Sequence, residues 1–373
     1  MITNFTFMEN NFLDASPLQD WVPTDVHHWE GKEENVLVLN YTLTCALTCD
    51  FCCYHCHPKR NEKMPIELAK RLINEAAGMH SFSSVGFTGG EPMLYYDEIV
   101  VLGELLKSKG LPFTIATAGH WANSAEETMQ MVGVLSRLGL LRLNISHDPS
   151  HAQFVPSSNI IHIAQAAEKH HLPIYIIGTF FSTAEKTELL LPEIVNYQYV
   201  HFINKYVAKV GRAAKNNISQ DTYKLDLQLD ALCCYRRINH DITVFYDGET
   251  YPCCSTFNRS TKGISIGNAN ELSLKSLWEK AEGSISLRVM KRQGFGELYR
   301  IIQQHDPLLF LELPSGNSAV GPCSLCHQLF SDKTLTPKLK RFFDQYEADK
   351  VDDLLSFLVN RLGLEKTLSI IEQ

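Results

Sequence analysis

The chain has 373 residues, 45% hydrophobic and 20% charged, which is enough for one large domain and a smaller one around buried cores. A net charge of −8 argues against a nucleic-acid partner, which needs a basic footprint. Short basic clusters, Lys291-Arg292 and Lys338–Arg341, read as solvated helix faces. No basic start followed by an apolar core opens the chain, and no apolar run spans a bilayer. A cytoplasmic protein without a membrane partner is therefore expected. Eleven cysteines in that reducing compartment point to metal or redox chemistry rather than disulfides.

Residues 1–34, rich in Asn, Asp, Glu and aromatics without periodicity, read as an N-terminal extension. From Val36 strands and helices alternate. Strands are predicted at Val36–Tyr41, Ser84–Thr88, Phe113–Thr117, Leu141–Ser146, Ile174–Thr179 and Val200–Ile203. Helices are predicted between them, at Pro65–Gly78, Asp97–Lys109, Ala125–Leu138, Asn159–His170 and Ala184–Val195. Such alternation with short connections predicts an α/β fold, a parallel sheet with its helices packed outside. Six units are too few for a closed eightfold barrel, so the sheet is expected to form a partial (β/α)6 barrel. After Lys215 the alternation stops, and a hairpin is expected over Asp241–Tyr251 around the Asp247-Gly248 turn pair. From Thr334 two amphipathic helices are expected, with Leu354, Leu355, Leu358, Leu362 and Leu364 in the core.

The cysteines fall in three groups: five in residues 45–56, four at 233, 234, 253 and 254, and two at 323 and 326. Cys45, Cys49 and Cys52 sit in the loop after the first strand. Three such thiolates can hold three irons of a [4Fe–4S] cluster and leave the fourth open. From these cysteines alone a zinc site is the alternative, since Cys53 and Cys56 offer further thiolates. One βα unit downstream, Thr88-Gly89-Gly90-Glu91-Pro92 follows the second strand.

The CxxxCxxC loop paired with this Gly-Gly-Glu-Pro resembles the radical S-adenosylmethionine (SAM) superfamily. The resemblance implies that Cys45, Cys49 and Cys52 hold a SAM-binding [4Fe–4S] cluster whose open iron chelates SAM. It also implies that Gly89, Gly90 and Glu91 bind the methionine amino group and that Phe51 lies near adenine. Ser146 and Asp148 resemble the family's Ser-x-Asp element; an ordinary strand-end cap is the other reading. The second set, Cys234, Cys253, Cys323 and Cys326 around Gly248, resembles the twitch form of the SPASM domain, which holds an auxiliary [4Fe–4S] cluster. Cys233 competes with Cys234 as the ligand there, and a structural zinc is the alternative occupant. The expected division is thus 35–215 radical SAM core, 216–332 twitch-like auxiliary domain and 333–373 helical tail.

Several stretches are more specific: Cys45–Pro58, Ser146–Ile160, Val210–Lys215, Asp247–Ser255 and Cys323–Phe330. They resemble the YydG-type epipeptide epimerases, which convert L- to D-residues in ribosomally made peptides. This implies Cα hydrogen abstraction, hydrogen return from the Cys254 thiol and help from Asp241 in proton traffic; a buried, inert cysteine and a plain turn aspartate are the other readings. It implies SAM as co-substrate, a precursor peptide threaded into the barrel mouth, and an external flavodoxin- or ferredoxin-like electron donor; the peptide is expected to lie extended against an exposed strand edge, a recurrent binding mode. His151 belongs to the family-like Asp-x-x-His run, where buttressing the loop is its other reading. Competing outcomes are peptide crosslinking, small-molecule dehydrogenation and a non-enzymatic cluster scaffold.

Overall fold

A computed structural model describes residues 35–181, 185–216, 229, 232–234, 240–315 and 321–371, so the expected N-terminal extension lies outside the described residues. Six strands, β1 (Asn35–Thr42), β2 (Phe82–Gly89), β3 (Phe113–Thr117), β4 (Leu140–Ser146), β5 (Ile174–Phe180) and β6 (Val200–Tyr206), pair in parallel and in chain order. Between them run α1 (Ile66–Met79), α2 (Tyr96–Ser108), α3 (Ala125–Arg137) and α4 (Ser157–His170). Alternation along the strands sets the layers. On β1, Leu37, Leu39 and Tyr41 are fully buried in the core that also takes Leu72, Ile73 and Ala76 of α1. Burying each such large side chain contributes about 1.5–3 kcal/mol. Residues on the opposite face of each strand, such as Asn40 and Thr114, turn to the inner side of the sheet.

Among the described residues β6 is the open edge of the parallel set, because β1 is covered on its other side. There β7 (Asp241–Phe245) pairs in parallel, with Val36 opposite Asp241, and extends the sheet as β6-β5-β4-β3-β2-β1-β7-β8-β9. β8 (Glu249–Tyr251) returns antiparallel through the expected turn, where Gly248 takes a φ of 83° and donates its N–H to Phe245 at 2.8 Å. β9 (Gly267–Asn268) completes the meander. α5 (Leu274–Gly283) packs Leu274, Leu277 and Ala281 into the first core, and a second core forms beyond it from α6 (Ile285–Arg292), α7 (Phe295–His305), α8 (Pro322–Ser331) and the start of α9 (Leu335–Leu362), with α10 (Leu364–Ile371) following.

Three expectations are corrected. Where a helix is expected at Ala184–Val195, the described residues form two short 3-10 turns, Thr187–Leu189 and Pro192–Ile194. Pro192 lacks the N–H a continuous helix needs, and Thr187 donates instead to Asn204 Oδ1 of β6 at 3.0 Å. The tail leucines are not core: Leu354, Leu362 and Leu364 are 55%, 37% and 60% exposed, and Leu355 and Leu358 are half-buried. α9 is 28 residues long, roughly 42 Å at 1.5 Å per residue. Its first third is anchored by Leu335, Leu339 and Phe343, and further along Val351, Leu354 and Phe357 are exposed. Finally, Lys291 is not on a solvated face; it is buried inside the second core region, 6% exposed.

A chain ending at Lys350 should therefore melt within a few degrees of the full chain. Phe343→Ala should cost about 3–5 kcal/mol by the same thermal denaturation, because it empties a buried site.

Candidate active site

Parallel strands bring the loops that follow them to one face, the place where open α/β sheets bind ligands. Each loop here is tied to its neighbour by backbone. Gly90 and Glu91 donate their N–H groups to Thr42 (2.6 Å) and Thr44 (2.8 Å), drawing the Gly-Gly-Glu turn against the entry to the cysteine loop. A Cβ on Gly89 would overlap Thr42, and one on Gly90 would overlap Thr44. Gly89 also has a φ of 137°. Glu91 is fully buried; its two oxygens accept Met93 N–H at 3.1 Å and Ala118 N–H at 2.8 Å, joining the β2 and β3 loops. Beside Gly89, Asn40 Oδ1 is buried without a hydrogen-bond partner, an acceptor left open on the inner wall.

The cysteine loop leaves β1 at this face. Cys45 and Cys49 are buried, and Cys52 is half-buried. Sulfur atoms here accept backbone N–H groups: Cys45 Sγ from Leu47 at 3.4 Å and Cys52 Sγ from Cys56 at 3.3 Å. Such donors suit thiolate ligands. Hydrogen bonding from Cys56, with help from the Arg212 charge, overcomes burial and brings the Cys52 thiol down to about 6, whereas burial pushes Cys45 up to about 12. Loss of those protons accompanies metal binding.

Arg212, which sequence reasoning did not single out, holds this loop from the far side of the sheet. It follows β6, and its Nε donates to Cys49 O at 2.7 Å, its Nη1 to Cys56 O at 2.8 Å and its backbone N–H to Cys52 O at 3.0 Å. Gly211 has no room for a Cβ against the carbonyls of Cys52 and Cys53. The only prior signal was the family-like Val210–Lys215 stretch, which gave no contact.

Asp148 is fully buried within its own loop. Oδ1 accepts the N–H groups of Ser150 and His151, both at 3.0 Å; Oδ2 accepts Thr179 N–H at 3.1 Å and lies 2.8 Å from His151 Nδ1. Asp148 thus organises the β4 and β5 loop ends and orients His151, while Ser146 ends β4 at the same face. Burial works against protonating His151, but hydrogen bonds to Asp148 and Cys49 prevail and lift it to about 10. Its ring lies 5.6 Å from Phe51, which also meets Phe181 at 6.0 Å.

The second cysteine set lines a cavity that opens in part to solvent. Cys234, Cys253, Cys323 and Cys326 all contribute, with Leu287, Met290, Phe295 and Lys291. Burial drives the Cys323 thiol up to about 12 and those of Cys253 and Cys326 well above their ordinary range. The Cys233 sulfur lies instead against Gly294, whose Cβ would stand 2.9 Å from it, so Cys234 is the residue that faces the cavity. Among the described residues no three His, Cys, Asp or Glu side chains converge tightly enough for one metal ion. Four thiols lining one cavity suit a polynuclear cluster, whose irons take one thiolate each.

Cys254 is exposed and does not line the cavity. Its electrostatic neighbours include Cys53 of the first loop and Lys205 of β6. Tyr54 fastens the two regions, donating its hydroxyl to Ser255 O at 2.8 Å with its ring 5.2 Å from Phe245. Asp241 is buried at the start of β7 and interacts with Lys291.

Comparison with known proteins agrees with this layout. The model of the Radical SAM superfamily matches residues 39–152, and that of an iron–sulfur cluster-binding domain, SPASM, matches residues 233–297. The chain therefore carries a radical SAM domain followed by a SPASM-type domain, with SAM, a SAM-binding [4Fe–4S] cluster and an auxiliary iron–sulfur cluster as the implied cofactors. Among curated proteins it is similar to the peptide biosynthesis protein YydG of Bacillus subtilis (strain 168), 26% identical over 313 residues, covering 83% of this chain and 95% of that protein. Solved structures that overlap it include anSMEcpe with bound AdoMet and Cp18Cys peptide (15% identity, 86% of this chain and 98% of that one, TM-score 0.49). BtrN in complex with AdoMet and 2-DOIA overlaps less (12% identity, 71% and 90%, TM-score 0.44). Overlaps this partial leave the chemistry to the chain's own residues.

Two outcomes follow for the first cluster. Arg212→Met should release the cysteine loop and lower bound iron from about eight to about four atoms per reconstituted chain, measured by iron assay and electron paramagnetic resonance (EPR). Gly90→Ala should keep the iron but weaken the spectral response to added SAM, because the added methyl group pushes the Gly-Gly-Glu turn off Thr44.

Proposed function

We propose that the chain is a radical SAM peptide epimerase that converts L- to D-residues in a ribosomally made peptide. Cys254 carries the reading. It is an exposed thiol next to a cluster ligand, excluded from the cluster cavity and set near Lys205 and Cys53 at the carboxyl face. The similarity to a peptide biosynthesis protein supports a peptide as the substrate.

Cys45, Cys49 and Cys52 would hold the first cluster. Gly89, Gly90, Glu91 and Ser146 would take the methionine end of SAM and Phe51 the adenine side, with Asp148 acting through the loop it orders. When bound, the reduced cluster and SAM supply a 5′-deoxyadenosyl radical that removes a Cα hydrogen atom. Cys254 then gives its S–H hydrogen atom to the planar carbon from the opposite side, forming the new Cα–H bond and leaving a sulfur radical. One electron, from an external flavodoxin- or ferredoxin-like donor, and one proton restore the thiol. Asp241 is the acid we assign to that proton, on its burial and its interaction with Lys291, which shares a cavity wall with Cys253. The peptide would lie extended along β6, the open edge of the parallel set.

The test uses any small peptide encoded beside the gene, incubated anaerobically with SAM and reductant in deuterated water. The expected product carries one deuterium and one D-residue per inverted centre. Cys254→Ala should still form 5′-deoxyadenosine while D-residue formation collapses. A fully epimerised peptide from that variant removes Cys254 from the mechanism. A product lighter by two hydrogens establishes bond formation instead, and an unreactive peptide turns the search to small molecules.

A further inference from the structure

Lys291 is the member of the auxiliary cavity that its cysteines do not account for. It lies in the last turn of α6, 6% exposed, on the wall shared with Cys234, Cys253, Cys323 and Cys326. Lysine is seldom this buried, because stripping water from an ammonium is costly unless negative charge replaces it. The side chain is also held in place. Nζ lies 2.7 Å from His240 Nδ1, and His240 Nε2 lies 2.7 Å from Glu282 Oε1, at a side chain 38% exposed. Trp278 packs its ring edge-on against His240 at 5.2 Å. A chain of three polar groups therefore runs from the surface to the cavity wall and ends on a cation. Burial pulls the Lys291 ammonium below its ordinary range, and the groups that act the other way include Cys234 and Cys253, both on the same cavity wall, with Asp241 and Glu282.

We propose that Lys291 is the built-in counter-charge of the auxiliary cluster, a positioning residue whose ammonium favours the reduced cluster and raises its reduction potential. The proposal rests on the assignment of the four-cysteine cavity as the cluster site. Four thiolates around a [4Fe–4S] core carry net negative charge, and reduction adds one more. A fixed cation on the wall attracts the reduced form more strongly than the oxidised form. Arg at this position preserves the charge, whereas Met preserves much of the volume without it. Gln preserves a donor toward His240 without the charge.

The experiment uses the full chain with Cys45, Cys49 and Cys52 all changed to Ala, so that only the auxiliary site can bind iron. Its midpoint potential is read by EPR-monitored redox titration, alone and with Lys291→Met, Lys291→Gln or Lys291→Arg added. The expected result is a more negative midpoint in the Met and Gln variants and a midpoint near the parent's in the Arg variant. Loss of iron from the Met and Gln variants with retention in the Arg variant also supports the proposal, since charge alone then decides whether the cluster stays. An unchanged midpoint in the Met or Gln variant at full iron content overturns it. So does loss of iron from all three variants, which assigns Lys291 to packing. A parent without a [4Fe–4S] signal defeats the site assignment itself.

Discussion

The site depends on backbone packed against backbone at the carboxyl face of the sheet. Gly89 and Gly90 let the second loop lie against Thr42 and Thr44, and Gly211 lets the segment after β6 lie against Cys52 and Cys53. A side chain at any of these positions would stand where a carbonyl now is. The loop that presents Cys45, Cys49 and Cys52 is consequently held from both sides, by the glycine turn of β2 and by the guanidinium of Arg212. Ligands are oriented by the groups around them, and here close backbone packing and one guanidinium do this for the loop.

The two cysteine regions belong to different cores yet are mechanically joined. The first core packs α1 to α4 against the parallel sheet, and the second packs α6 to α9 beyond the β7–β8 hairpin. β7 links them by extending the same sheet, so its register on β1 fixes where the hairpin points. Tyr54 adds a side-chain link, since it lies against both cores and reaches Ser255, next to Cys254. The thiol assigned to hydrogen return is thereby positioned from the loop that carries the first cluster.

Much of the fold was legible because burial leaves a periodic trace. Leu68, Ala69, Leu72, Ile73 and Ala76 of α1 recur at helical spacing, and all six parallel strands lie at their expected places. The same periodicity misled in the tail. Leu354 and Leu362 repeat as core residues would, but a stripe reports only that a face is apolar, not that another element covers it. Residues 184–195 failed for a different reason, because Pro192 and the Thr187–Asn204 bond outweigh local helix propensity.

The site divides along the same line. Cysteine spacing is read directly from sequence, because ligands of one cluster must cluster along the chain or at its motif ends. The residues that serve those ligands carry no such mark. Arg212 reaches Cys49 across 163 positions and Cys56 across 156, and Lys291 meets His240 across 51. Lys291-Arg292 looked like an ordinary solvated pair, and only the turn of α6 puts one of the two inside. The choice between Cys233 and Cys234 had the same character. Adjacent cysteines are equivalent by spacing, and what separates them is that Gly294 receives the first while the cavity receives the second. A supporting residue becomes visible only once the fold has brought distant positions together, which is why the ligands were readable and their charge environment was not.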